Sequence, residues 1–199
     1  MNLTAFLGIQ TDRNLYILII LAVVVGAALL LMKDKPARDG RSRMLGEKYR
    51  VMTPELLAAA SDEELVDAVI ANLHEKLNLR RPDPYKDIPP LSPGRSAVYS
   101  VWLLCHELEQ DGWERFYAGP SAVFDELARD GLRLIGAERC AAVVDEVLAR
   151  RPVHGESEEM AQLHADFLEA AEEEQPLALC RAYIRTNPEE FCDEAEKEE

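Results

Sequence analysis

The stretch EQDGWERFYAGP, residues 109–120, decides how the chain is read. Three aromatic residues fall within five positions, behind Asp111-Gly112 and ahead of Gly119-Pro120. Glycine tolerates the left-handed backbone that ends a helix. Proline is favoured at the first position of the next one. Trp113, Phe116 and Tyr117 stand at i, i+3 and i+4, so one turn of helix places them on one side. The stretch therefore predicts a corner: a stop, an aromatic plug and a start. Corners of this kind are more often packing than chemistry, and a pocket beside Trp113 is the alternative.

Outward from this corner the pattern is helical on both sides. Thr53-Pro54-Glu55 is an N-cap followed by proline. Ser61-Asp-Glu-Glu64 reads as a capping box, with its helix running to about Leu79. Residues 80–94 hold five prolines and predict an extended linker. Ser92-Pro93 opens a helix over 93–111, with Val98, Val101, Trp102, Cys105 and Leu108 as its apolar stripe. Further helices are expected at 120–136, 138–150, 157–174 and 176–186. Gly131 lies on the apolar stripe of the first of these and predicts close helix packing there. No convincing alternating strand is present. The expected fold is all-α: a body of about six helices over 53–187, then an acidic tail over 188–199, disordered beyond Phe191.

The N-terminal quarter differs. Residues 15–32, LYILIILAVVVGAALLLM, run for 18 residues without a charge. At a rise of about 1.5 Å per residue, such a helix matches a bilayer core. The run is longer than a signal-peptide core and lacks its basic start, so it predicts a single transmembrane helix behind a short segment, 1–14. Lys33, Lys35, Arg38, Arg41 and Arg43 follow it, against Arg13 before it. The positive-inside bias then puts the N-terminus outside and the body in the cytoplasm. Pro36, Gly40 and mixed charge predict a basic tether over 33–52 with no packed element before about Met44. Its basic half would rest on anionic lipid.

The net charge of −15 is polarised: +4 over 1–52, −7 over 53–152 and −12 over 153–199. An acidic body does not bind nucleic-acid backbones directly, because phosphate binding needs Lys and Arg. It can bind a basic protein surface. Asp166, Glu169 and Glu173 stand at i, i+3 and i+7 on the polar side of the 157–174 helix. Their axial spacings of about 4.5 and 6 Å are on the order of those between neighbouring DNA phosphates. Glu158, Glu159, Glu172 and Glu174 broaden the row. It is either an acidic interaction face or a solvated helix surface.

Chemical motifs are scarce. His106-Glu-Leu-Glu-Gln110 lacks the second histidine of a zinc-binding H-E-x-x-H. His164 falls on an apolar face and reads as a core histidine. His74 and His154 have no partner at a readable spacing. Cys105, Cys140 and Cys180 lie inside apolar patterns, and no cysteine makes a C-x-x-C with another. No metal ligand set, cofactor motif or catalytic constellation is expected.

The corner and its flanks resemble the DNA-mimic protein nineteen family, a domain of unknown function. The residues that carry the resemblance are Glu107, Glu109, Asp111-Gly112, Trp113, Arg115, Phe116-Tyr117 and the helix end Ile135-Gly136-Ala137, over roughly 53–150. The chain departs from the family pattern at Asp111, where Asn is common, at Trp113 in place of a second glycine, and at Arg115, where Gln is common. The resemblance implies an all-helical fold, often a homodimer, and no known catalysis. It also implies a surface whose carboxylates stand in for DNA phosphates to capture a DNA-binding protein.

Two expectations compete with that one: a hydrolase-like enzyme with its cleft near His106 and Glu109, and a membrane scaffold whose acidic surface does nothing. The membrane reading has a direct check. Carbonate washing should leave the chain in vesicles, and a reporter fused after Glu199 should stay inside the cell; a washed-off or exported chain sinks it.

Overall fold

A computed structural model describes residues 35–77, 88, 91–153, 155 and 157–193. Among these, every regular element is helical and no strand occurs, as expected. The chain divides into two compact units, Met1–Met44 and Leu45–Glu199. The elements are α1 (Lys35–Lys48), α2 (Pro54–Ala59), α3 (Leu65–Lys76), α4 (Pro93–Gln110), α5 (Trp113–Ala118), α6 (Asp125–Ile135), α7 (Glu138–Leu148), α8 (Glu158–Glu174) and α9 (Pro176–Thr186). Short 3-10 turns at Pro120–Phe124 and Pro188–Glu190 complete them.

The expected membrane span at 15–32 and most of the linker at 80–94 lie outside the described residues. No helix among the described residues is long and apolar enough to cross a membrane. Of the first unit, the described part is the leading portion of α1. That helix gives the expected basic tether a regular backbone, and residues 40–44 on it are exposed, so packing begins only at Leu45. Pro36 sits in its first turn, where a missing N–H costs nothing. The second unit begins its core earlier than residue 53: Leu45, Tyr49 and Met52 are buried.

Helix α4 is the axis of the second unit. It contacts α3, α5, α6, α8 and α9. Its buried residues run almost all the way round, including Tyr99, Leu103 and Leu104 beyond the predicted stripe, while Trp102 is only partly covered. A helix enclosed by neighbours has little use for a polar face. Its N-terminus is capped as predicted: Ser92 Oγ accepts from the Arg95 N–H at 3.2 Å. Thr53 caps α2 through the Leu56 N–H, and Ser157 caps α8 through the Met160 N–H.

Helices α4 and α6 pack backbone to backbone. A Cβ at Gly131 would lie 3.0 Å from both Cα and O of Ala97, so the expected close packing is present and leaves no room for a methyl. Helix α6 begins later than predicted. Pro120 opens a 3-10 turn, and α6 proper starts at Asp125. It ends on Gly136 in the left-handed conformation, φ 88°. The capping box at Ser61–Glu64 is also corrected. Residues 62–64 form a turn, α3 starts at Leu65, and the Glu64 carboxylate is taken by Lys48 at 3.0 Å. Helix α3 stops at Lys76 rather than at Leu79.

The aromatic corner is core. Gly112 takes φ 42°, and α5 follows at once. Trp113 and Phe116 are 1% and 0% exposed, and Tyr117 is half-buried. Trp113 meets Phe116 and Phe167 edge to face at 6.1 and 5.7 Å between ring centroids. Removing such a side chain typically costs about 3–5 kcal/mol.

The acidic tail does not leave the body at Phe191. Phe191 is 1% exposed, and Asp193 reaches back across the fold. Its Oδ2 accepts from the Met52 N–H at 2.8 Å and from Asn72 Nδ2 at 3.1 Å. Its Oδ1 accepts from Arg95 at 2.7 Å and from Lys76. The Asp193 N–H in turn donates to the Met52 carbonyl at 2.8 Å. Burial pushes this carboxyl up, but the hydrogen bonds from Lys76, Met52, Asn72 and Arg95 outweigh it and hold the pKa at about 2. An unfolded aspartate titrates near 3.8. The folded state is thus stabilised above about pH 4, and that contribution is lost as the pH falls through 4 toward 2. It amounts to roughly 1–2 kcal/mol after allowance for solvent screening at the partly exposed Lys76. Asp193→Asn should lower stability near neutral pH by about that much, and the gap to the parent should close between pH 4 and 2 in denaturant titrations. A gap that does not change with pH refutes the clamp.

Candidate acidic interface

Helix α8 owes its orientation to Met160, Leu163, Phe167 and Ala170, which are buried. That packing turns Glu158, Glu159, Glu169, Glu172 and Glu173 to solvent and leaves Asp166 and Glu174 half-buried. The carboxylates predicted as one row, Glu174 apart, fall into three groups. Glu159 and Glu173 are ion-paired with arginines of the α7 region: Arg150 Nε lies 2.5 Å from Glu159, and Arg139 pairs with Glu173. Asp166 accepts from Gln162 at 2.8 Å, one turn earlier on the same helix. Glu158, Glu169 and Glu172 make no ion pair with other described residues.

Glu174 has a different task. Both its oxygens accept backbone N–H groups, from Arg139 and Cys140, each at 2.9 Å. These are orphan donors of the first turn of α7, so Glu174 caps that helix from outside. Burial raises its pKa, but the two backbone hydrogen bonds more than reverse this and hold it below the usual glutamate range. The contribution is present at neutral pH and is lost as the pH falls through the folded pKa.

The corner residues separate in the same way. Glu107 accepts from Ser121 Oγ and so ties α4 to the 3-10 turn. Glu109 is exposed. Asp111 faces Arg115 at 3.9 Å, with both side chains more than half exposed. Such a surface pair contributes little. Gly112, Trp113, Phe116 and Tyr117 shape the corner. The structure thus places the aromatic residues in the core and puts exposed carboxylates at Glu109, Asp111, Glu158 and Glu169.

His106 and Glu109 line separate depressions rather than one cleft. An open depression of about 350 Å³ beside Trp113 is lined by Asp111, Glu114, Arg115, Met160 and His164. His164 is already engaged: its Nε2 lies 2.7 Å from the Leu108 carbonyl. His106 lines a second depression with Glu107 and Arg115, and its ring stacks on Trp102 at 5.6 Å. Glu109 lines a third, floored by apolar residues of α8 and α9. No group of three or more metal-ligating side chains converges among the described residues. All four cysteines are free thiols. Burial pushes Cys105, Cys140 and Cys180 well above the usual thiol range, Cys180 to about 12.

Sequence reasoning did not find Asp193 or Glu190 as structural groups. Glu190 accepts from the Gly94 N–H at 2.5 Å and from the Tyr183 hydroxyl at 2.8 Å. It also did not find buried Asp125, which pairs with Arg151. Their partners lie far away in sequence or on separate elements, and nothing local distinguishes them from solvated acids.

Fold and surface together define an all-helical acidic protein built round one enclosed helix. The model of the DMP19-like protein family matches residues 89–197, more than half of the chain, and the chain belongs to that family. The matched region runs from the start of α4 through the Asp193 clamp, further toward the C-terminus than the 53–150 resemblance expected from sequence. No curated protein and no solved structure matches the chain. Membership suggests a DNA-mimic-like acidic protein, and the family is not known as an enzymatic one.

Stability measurements can separate structural from available carboxylates. Glu174→Ala should cost about 1 kcal/mol, as losing a cap does, whereas Glu169→Ala should leave the unfolding midpoint unchanged. Equal effects would refute the division.

Proposed function

We propose that this chain is a non-enzymatic interaction module that uses the outer face of α8 as a phosphate-like surface to bind a basic protein of the DNA-binding type. The observation that carries the reading is the set of exposed carboxylates on α8 without an arginine partner among the described residues, Glu158, Glu169 and Glu172, on a chain of net charge −15 in the DMP19-like family. Such a surface steers a cationic partner and excludes anionic ones, nucleic acid included. The apolar run at 15–32 supports a membrane tether, which would hold the module at the cytoplasmic face and restrict its partner to what reaches that face.

Glu159 and Glu173 enter this reading differently. Their arginines already neutralise them, so a partner must displace Arg150 or Arg139 to use them. That pairing also supports the scaffold reading, in which the α7–α8 surface is a solvated ion-pair seam and nothing more.

One experiment separates the two. Crosslinked capture from native membranes is run at about 50 and 500 mM salt with the parent chain and with Glu158→Lys, Asp166→Lys and Glu169→Lys combined. An electrostatic grip should give a basic partner that is lost at high salt and lost from the triple variant. Retention by both chains at both salts would refute the acidic-face reading and leave the scaffold.

A further inference from the structure

An evenly acidic surface attracts every basic protein, so selectivity requires shape as well as charge. The surface provides one candidate for shape. Between α4, α8 and α9 lies a groove of about 280 Å³. Its apolar lining includes Leu168, Ala171 and Leu177, with the buried Cys105 beneath. Leu168 is 40% exposed there, while its neighbour Phe167 is buried. The corner at Gln175-Pro176, where α8 turns directly into α9, adds to the lining. The volume falls just under the range of small-molecule pockets, about 300–1,000 Å³. It suits a single large aliphatic side chain, the kind of anchor around which protein interfaces are organised.

The charge on the lining has one sign. Glu109 comes from α4 and Glu172 from α8, and among the described residues no basic side chain lines the groove. Both carboxylates are exposed and neither is ion-paired with another described residue. Elsewhere on α8 the carboxylates next to α7 are met by Arg139 and Arg150. The groove is thus apolar in its floor and uncompensated at its rim. A neutral apolar partner would bury two bare carboxylates against it, and an acidic one would be repelled.

We propose that this groove seats one aliphatic side chain of a basic segment of the partner protein, with Lys or Arg on either side of the anchor meeting Glu109 and Glu172. The inference rests on the acidic-module reading above and specifies its recognition element. Contact through carboxylates alone fades with salt; an anchored contact keeps a salt-resistant part, because hydrophobic burial is not screened.

The test uses the full chain in neutral-lipid nanodiscs and two fluorescent lysine-rich helical peptides, identical except for Leu or Ala at one central position. Empty nanodiscs serve as the blank. The Leu peptide should bind roughly tenfold more tightly than the Ala peptide, as expected for burying two or more extra carbons. This ratio should persist from about 50 to 500 mM salt while both affinities fall. Leu168→Gln, at a part-exposed position, and separately Ala171→Gln should abolish the ratio while leaving the Ala peptide's affinity unchanged. Glu109→Gln with Glu172→Gln should weaken both peptides and keep the ratio. Equal binding of the two peptides to the parent chain overturns the groove alone and leaves the acidic module standing. Absence of binding by either peptide at low salt overturns both readings. A Leu preference that survives both glutamine variants places the anchor elsewhere and overturns the proposal.

Discussion

The second unit depends on one carboxylate. Asp193 is a short side chain near the end of the chain, yet its two oxygens collect donors from the segment before α2, from α3 and from the first turn of α4. Asn72, which donates to it, also donates to the Tyr49 carbonyl at 2.8 Å. Three separate stretches of the chain are thereby fixed to each other. A half-buried anion with four donors satisfies their polar groups at once, and the Met52 N–H or the buried Asn72 amide left unpaired there would be costly. The docked tail also covers the N-terminal end of α4, where the Ser92 hydroxyl donates to the Glu190 carbonyl and Arg95 to the Phe191 carbonyl.

Acidic residues therefore do two kinds of work in this protein. Some are structural cement: Asp193, Glu190, Glu174, Glu107 and the buried Asp125 each accept from a donor on another element or neutralise a cation. Others, Glu109, Glu158, Glu169 and Glu172 among them, stay in water without an ion pair among the described residues. Net charge does not distinguish the two sets. A mimic of nucleic-acid phosphates needs the second set, because a carboxylate already saturated with N–H donors offers little to a cationic partner.

The aromatic corner shows how a motif that looks functional can be a packing device. Its glycine allows α4 to stop and α5 to begin without an intervening loop, and Trp113 then fills the space between α5 and α8 against Phe167. Its cost, if lost, is one of core burial, on a scale of several kcal/mol. The surface it positions, the outer side of α8, lies one layer further out. The corner thus bears on function only through the placement of that helix.

The helical class, the order of the main helices, the capping residues Thr53 and Ser92, the close packing at Gly131 and the burial of three cysteines were legible in the residues themselves. Each follows from local periodicity or from the backbone preference of a single residue type. The early start of the core at Leu45, the delayed starts of α3 and α6 and the docked tail were not, because they are settled by contacts between distant segments. The same holds for the acidic row. Spacing along α8 placed Glu158, Glu159, Asp166, Glu169 and Glu173 on one helix, as 3.6-residue periodicity requires. Which of them meet an arginine was decided only when α7 packed alongside, since a charge is compensated by what lies near it in space and not by its neighbours in sequence.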